Sequence, residues 1–429
     1  MNVLVLGSGG REHAFCWKLS QSSLLDKLYA APGNSGTALH ATNVPLKLDN
    51  FAKIAGFIKE NEIDIVVVGP EVPLVNGLHD YLAKKKDSQQ VTVIGPKKAG
   101  AMLEGSKDVA KTFMNKYHIP CARSKTFDKA SLKEGLAFID STKGPYVLKA
   151  DGLAAGKGVV ILDDQKEAKA ELKAMISDSK FGKASAKVVV EQFLKGTELS
   201  VFVLTDGRNY KLLPTAKDYK RIGEKDTGLN TGGMGAISPA PSADELFMKR
   251  VEEQVIIPTL RGLESEGMEY QGFIFFGLMD VKGNPHVIEY NVRMGDPETE
   301  IVLPRIQSDL LDLFEGIRSG TFSEKDLQIS EKEGATVVLV SGGYPEKYAK
   351  GKTITGMDDT EKVHVFHAGM KLKENSFVTN GGRVMAVSAT SRTTEKALRT
   401  IYKEIEKLKY SKMYYRKDIG YEILDPILN

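Results

Sequence analysis

The 429-residue sequence predicts an α/β domain built on a parallel sheet, followed by two α+β domains. Three observations predict this. The first hundred residues alternate apolar, β-branched runs with amphipathic ones, the pattern of strands covered by helices on both faces. The middle third mixes strand–helix–strand patterns with hairpin signals, and the last hundred residues carry several strands and one long helix. The length corresponds to roughly three domains of about 150 residues each.

In order, "NVLVL", "KLYAA", "IDIVVVG" and "VTVIG" read as the strands of the first domain, expected over residues 1–104. Its helices are "REHAFCWKLSQS", "NFAKIAGFIKENE" and "PLVNGLHDYLAKKK", whose closing lysines 84–86 suit the carbonyl end of a helix dipole. Ser106 is an N-cap with Asp108 in the first turn, so "KDVAKTFMNKYH" opens the second domain as a helix, closed before Ile119-Pro120. That domain is expected over 105–325, with a mobile lid at about 124–193. "SKTF", "YVLKA", "GVVIL" and "KVVVEQF" are its first strands, around the helices "ASLKEGLAFIDS" and "QKEAKAELKAMI". Residues 197–213 read as a hairpin turning at Asp206-Gly207. A long helix (242–267) precedes the strands "GFIFFGLMD" and "PHVIEYNV" and the helix "SDLLDLFEGIRSG". The third domain, 326–429, holds "GATVVLV", "VHVFHAG", "GGRVMAVSA" and a helix at 392–409.

With 59 Lys and Arg against 56 Asp and Glu, the chain carries no global field to recruit nucleic acid or a membrane surface. Cys16 and Cys121 lack metal-ligand spacing and read as buried thiols of a reducing compartment. The N-terminus runs straight into a strand, and no apolar run reaches 18 residues. Small-molecule chemistry by a cytoplasmic monomer is the expectation.

Four stretches could carry that chemistry. In "GSGGREHA" (7–14) glycines stand between a strand and a helix start, where backbone N–H groups receive an anion or where a tight turn needs glycine for space. It lacks the dinucleotide fingerprint, because Glu12 holds the third glycine position and no acid follows the second strand. "VLKADGLAAGKGVVIL" (147–162) misses the P-loop spacing by one residue and reads as a hairpin. Its glycines 152, 156 and 158 with Lys149 and Lys157 either fold over phosphates or form a mobile surface hairpin. In "HVIEYNVRMGDPETE", Glu289, Asn291 and Arg293 share one strand face. They offer hard oxygens for Mg²⁺ and a cation for phosphate, or else an internal Glu289–Arg293 ion pair. Residues 214–241 form a long glycine-rich segment, a functional lid or a linker.

"EGSKDVAKTF", "YVLKADGLAAGKGVVI", "VVVEQFLKGTELS", "DTGLNTGGMGAISPAP" and "IEYNVRMGDPETE" are together similar to the ATP-grasp ligases, and within them resemble the glycinamide ribonucleotide synthetase family. "GSGGREHA", "APGNSGTA", "VVGPEVPLVNGL", "GGYP", "VFHAG" and "TNGGRV" extend the resemblance over nearly the whole chain. It implies an ATP-grasp fold with a Rossmann-like first domain and a small C-terminal domain. It further implies ATP-dependent ligation of glycine to 5-phospho-β-D-ribosylamine in purine biosynthesis, through a glycyl phosphate, with Mg²⁺ or Mn²⁺. Carried onto this chain, Lys107 and Lys149 contact the ATP phosphates beneath the hairpin of Gly152, Gly156, Lys157 and Gly158. Glu191, Gln192, Phe193 and Leu194 hold adenine, Glu198 the ribose, and Glu289 and Asn291 the metal. Gly9, Gly10 and Arg11 are assigned to the substrate phosphate, Asp218, Gly232 and Gly233 to substrate, and Lys220, Arg293 and Asp296 to the reacting groups.

The chain departs from the family's usual motifs at Lys217, Tyr219, Leu229, Ile237, Tyr290, Met294 and Glu300, and Phe275 stands where many ATP-grasp enzymes have a further metal carboxylate. Two rival readings are an ATP-grasp ligase for another acid, such as bicarbonate, and a non-catalytic nucleotide sensor. "NTGGMGA" with "GDPE" disfavours the first, and Glu289, Asn291 and Arg293 together disfavour the second.

Overall fold

The computed structural model describes residues 1–154 and 158–424. The first sheet is wholly parallel, with strands ordered Thr42–Asn43, Lys27–Pro32, Asn2–Gly7, Ile65–Val68, Thr92–Ile94. Its central residues Val3 to Leu6 have no exposed surface, as their unbroken apolar run requires. The middle strand leads through a glycine turn into the helix Gly10–Leu19, and Glu12 of that helix folds back over the turn. A Cβ on Gly69, at the end of the neighbouring strand, would lie 2.0 Å from Glu12 Oε1, so only glycine fits there. "PLVNGLHDYLAKKK" forms two helices rather than the expected one, Glu71–Val75 and Leu78–Lys84. Gly77 separates them in a left-handed conformation, at φ +86°.

Ser106 caps the helix Lys107–Lys116, its Oγ accepting from the Val109 N–H at 3.2 Å. An antiparallel sheet follows, ordered Ser124–Asp128, Lys187–Gln192, Tyr146–Ala150, Val159–Leu162. It packs with helices Leu132–Asp140 and Gln165–Ser177 around a core of its own that includes Phe127, Ile139, Leu148, Leu172 and Val190. A second antiparallel sheet runs Tyr210–Leu212, Thr197–Thr205, Gly272–Val281, Asn284–Asn291. Its apolar residues merge with those of the first domain in two continuous clusters. The helix expected over 242–267 is continuous but widens into a π-turn at Glu252–Ile256, ending two residues before Pro258, whose missing N–H and bulky ring break regular α-helical bonding.

Residues 214–241 are neither a linker nor an irregular lid. Lys217–Asp218 and Gly235–Ser238 pair with each other, and Gly235–Ser238 then pairs with Glu333–Ser341. Arg221–Gly223 and Thr227–Asn230 form a hairpin between them. The segment therefore supplies two strands to the last sheet, ordered Lys217–Asp218, Gly235–Ser238, Glu333–Ser341, Arg383–Ser391, His364–His367. Local pattern could not reveal a partner about a hundred residues away. The short helix Thr299–Arg305, also absent from the sequence reading, packs against both Gly10–Leu19 and this sheet. Among the described residues, no helix is long and apolar enough to cross a membrane.

Candidate active site

A cleft of about 1180 Å³ opens between the two antiparallel sheets and reaches the 217–232 segment and the last domain. At one end Glu191 is buried between two lysines. Lys149 Nζ lies 3.0 Å from Glu191 Oε2 and donates to the Ile288 carbonyl at 3.3 Å, while Lys111 Nζ lies 3.3 Å from Glu191 Oε1. Lys107, one helical turn before Lys111, lines the same wall, and burial lowers its pKa against the pull of Glu289. Lys111 escaped the sequence reading, although its i+4 spacing from Lys107 puts both on one helix face.

Gln192, Phe193, Leu194, Glu198 and Gly158 line the cleft as well. Gly152 does not: its N–H donates to the Ala184 carbonyl at 3.0 Å. Gly156 and Lys157 lie outside the described residues. A residue not foreseen, Asp151, roots this hairpin on the helix start. Its Oδ1 accepts from Ser106 Oγ and from the Asp108 N–H, each at 2.8 Å, and its carbonyl accepts from the Lys107 N–H at 3.1 Å.

Midway, Glu289 and Asn291 stand opposite Gly277 and Phe275 of the neighbouring strand. Burial would push the Glu289 pKa up, but Lys220, Lys149 and Lys107 outweigh it and hold the carboxyl below its ordinary value. The internal Glu289–Arg293 pair does not form. Arg293 Nη2 instead donates to Glu104 Oε1 at 2.6 Å and to Asn291 Oδ1 at 3.0 Å, with Glu71 Oε2 at 3.5 Å from its Nε. Glu104 Oε2 also accepts from the Val292 N–H at 2.7 Å, so one carboxylate holds both the Arg293 head and its strand.

Among the described residues, no group of three or more His, Cys, Asp or Glu could hold a metal ion. Glu289 and Asn291 offer two oxygens, and Asn291 Oδ1 keeps a lone pair beyond its bond to Arg293. Two protein donors suit Mg²⁺, which keeps waters and phosphate oxygens in its shell, so the residues present fit such an ion.

At the far end carboxylates outnumber cations. Lys220 pairs with Glu198 and lies 3.9 Å from Asp218. Burial, then Glu298, Glu198 and Glu289, push the Asp218 pKa up against Lys220, and burial raises Glu298 likewise. Asp296 is paired with Arg383 at 2.9 Å, and Arg383 also donates to the Gly232 carbonyl at 2.6 Å. Gly232 lines the cleft, whereas Gly233 is turned away and packs on Pro297. Two of the departures act together: Lys217 pairs with Glu422, and Tyr219 OH donates to Glu422 Oε2 at 2.7 Å, tying the strand to the helix Tyr421–Leu424.

A second cavity of about 760 Å³ shares Asp296 and Arg383 with the cleft and is lined by Ser8, Gly9, Asn34, Ser35, Lys371 and Asn380 among others. The expected cradle of Gly9, Gly10 and Arg11 is not assembled there. The Gly9 N–H donates to Glu12 Oε2 at 2.5 Å, so the carboxylate of Glu12 already fills the turn. Gly10 faces Glu300, and Arg11 points to the cleft side, donating to Glu12 and to the Met294 carbonyl. His13 accepts from the His367 N–H at 2.8 Å through Nδ1, and burial drives its pKa well down, in keeping with a core role.

Three family models match the chain: the phosphoribosylglycinamide synthetase N domain over residues 1–104, its ATP-grasp (A) domain over 105–299 and its C domain over 334–422. A phosphoribosylamine–glycine ligase of Pasteurella multocida is 43% identical over 98% of this chain and 98% of its own. One from Caldanaerobacter subterraneus subsp. tengcongensis is also 43% identical, over 98% of this chain and 99% of its own. The crystal structure of a phosphoribosylamine–glycine ligase from Thermotoga maritima superposes with a TM-score of 0.85 at 36% identity, covering 98% of this chain and all of that one.

Proposed function

The chain belongs to the phosphoribosylglycinamide synthetase family, and from that premise we propose how its cleft performs the reaction. It is an ATP-dependent ligase that joins glycine to phosphoribosylamine in purine biosynthesis. A glycine carboxylate oxygen attacks the γ-phosphorus of ATP and ADP leaves. The amine of phosphoribosylamine then attacks the carbonyl carbon of the glycyl phosphate, and inorganic phosphate leaves with the formation of the amide. Such chemistry needs positioned charge rather than a protein nucleophile.

In this reading Glu191 to Leu194 hold adenine and Glu198 the ribose, while Lys107 and Lys149 face the phosphates. Glu289 and Asn291 hold the divalent ion, Mg²⁺ or Mn²⁺, which when bound supplies neutralisation of phosphate charge. Arg293, anchored by Glu104, faces the transferring group. Phosphoribosylamine extends from the shared wall of Asp296 and Arg383 into the second cavity, its phosphate toward Lys371 and its amine at the cleft. The unit at about 124–193, with a core of its own, closes as a lid and keeps water from the acyl phosphate. The chain works as a cytoplasmic monomer.

The observation that carries this reading is the convergence of Lys107, Lys111 and Lys149 on one cleft wall opposite Glu289 and Asn291. ADP release tests it, measured with Mg-ATP, glycine and phosphoribosylamine generated in place, each omitted in turn. Release should require all three. Release indifferent to glycine would mean that the cleft activates a different acid.

A further inference from the structure

Four of the chain's seven histidines meet where the first domain packs on the last, and none of them lines the cleft. The ring of His13, on the helix Gly10–Leu19, lies 5.2 Å from that of His367 and 5.5 Å from that of His40, while His364 stacks beside Phe366. His13 and His367 are buried, at 3% and 2% exposure. Three hydrogen bonds join the two domains around His367. Its N–H donates to His13 Nδ1 at 2.8 Å, Asn34 Nδ2 donates to its carbonyl at 2.7 Å, and Ser35 Oγ lies 3.0 Å from its Nδ1. A Cβ on Gly36 would lie 2.1 Å from His13 Nδ1, so glycine at 36 leaves room for the ring to reach the strand. The second cavity straddles this joint, with Gly9, Asn34 and Ser35 on one wall and Lys371, Asn380 and Arg383 on the other.

Of the three bonds, one depends on a proton. A backbone N–H can only donate, so His13 Nδ1 carries no hydrogen and the ring proton sits on Nε2. A second proton, on Nδ1, would set two N–H groups against each other. The other bonds survive acid, because the Asn34 amide does not titrate and the Ser35 hydroxyl accepts as readily as it donates. An imidazolium at 13 would also find no counter-charge. The titratable groups that act on it are the rings of His367, His364 and His40. On its own helix Glu12 is held by the Gly9 N–H and Arg11, and Lys18 donates to the Ile306 carbonyl. On the helices packed against it Glu300 faces Gly10, Arg305 donates to the Lys332 carbonyl, Asp309 accepts from Ser22, and Asp312 and Glu315 pair with Lys325 and Arg318. Lys27, on the adjoining strand, is exposed.

We propose that His13 is a positioning residue for the second cavity: its unprotonated Nδ1 pins the strand His364–His367 to the first domain and so sets the cavity's two walls, and protonation releases them. The pinning stands apart from the ligase reading; that the cavity takes phosphoribosylamine rests on it.

Hydrogen exchange of the full chain, read at amides 364–367 and corrected for the intrinsic effect of pH, tests the pinning. Burial holds the His13 pKa down in the closed joint, so the open joint binds more protons, and closure weakens as pH falls below the ordinary value of about 6.5. From about pH 7.5 to about pH 5.5, protection should fall about tenfold more in wild type than in His13→Asn, whose Oδ1 replaces Nδ1 as acceptor and takes up no proton. His13→Leu removes the acceptor and Gly36→Ala displaces it. Both should lower protection at either pH and weaken ribose 5-phosphate, the hydroxyl counterpart of phosphoribosylamine, by about tenfold in calorimetric titration, the scale of a buried N–H left without its acceptor. A non-hydrolysable ATP analogue should bind both within about threefold of wild type, which also shows that they fold. An equal response to pH in wild type and His13→Asn overturns the proposal. So does undiminished ribose 5-phosphate binding in both His13→Leu and Gly36→Ala. A wild-type chain that exchanges as expected but binds no ribose 5-phosphate would support the pinning and overturn instead the placement of phosphoribosylamine in this cavity.

Discussion

The two ends of the cleft are built on opposite electrostatic plans. At the first, Glu191 sits between Lys111 and Lys149 with Lys107 alongside, so buried cations exceed the carboxylate they surround. At the other, Asp218 and Glu298 are buried beside a lysine already committed to Glu198. The first end carries excess positive charge, and at the second burial holds the Asp218 and Glu298 pKa values up. In the proposed reading the polyphosphate of ATP takes the first end, and Glu289, Asn291 and Arg293 line the same cleft. Pairing the charges internally would have made the empty cleft more stable and less able to bind.

The sharpest way to break this contrast is at its midpoint. Glu289→Ala should lower kcat by about 10³-fold, since it removes an electrostatic contact at the transferring phosphoryl group. Steady-state ADP release checks this, and retention of more than about a tenth of wild-type turnover would contradict that magnitude. A second effect concerns stability. Glu104→Ala should cost about 3 kcal/mol in denaturant unfolding, because it removes the shortest carboxylate partner of the largely buried Arg293, leaving Glu71 at 3.5 Å, and takes away the acceptor of the Val292 N–H.

The smallest effect is a dependence on pH that differs in sign between the two groups of carboxylates. Glu289 has a lowered pKa in the fold, so its contribution is present above the ordinary carboxylate range and is lost as pH falls through its folded value. Glu298 has a raised pKa, so the fold binds more protons than the unfolded chain, and stability declines as pH rises above the ordinary range. Glu298→Gln should therefore melt higher than wild type at pH 8 without substrates and match it near pH 4. Equal melting temperatures at both values would remove the electrostatic asymmetry.

Much of this was legible in the sequence where the signal is local. The period-two alternation of "HVIEYNV" puts Glu289 and Asn291 on one face, whereas their register opposite Gly277 and Phe275, with its shift between Gly277 and Leu278, is not written in that pattern. Ser106 announced its helix through capping chemistry. What escaped was made by chain segments meeting from afar. Glu104 reaches Arg293 across 189 positions, and Gly235–Ser238 becomes a strand only because Glu333–Ser341 lies beside it. The glycine turn at 7–10 reads in the sequence as an anion cradle or a tight turn, and the return of Glu12 over it is a side-chain conformation no spacing rule displays.

The central claim is that glycine is activated on its own carboxylate in this cleft. The most direct measurement supplies glycine labelled with ¹⁸O in both carboxylate oxygens and analyses the phosphate released during synthesis by mass spectrometry. Attack of the carboxylate on the γ-phosphorus, followed by cleavage of the carbonyl–oxygen bond, carries one labelled oxygen into each phosphate, and that is the predicted result. Phosphate free of label, formed together with the amide product, would contradict it.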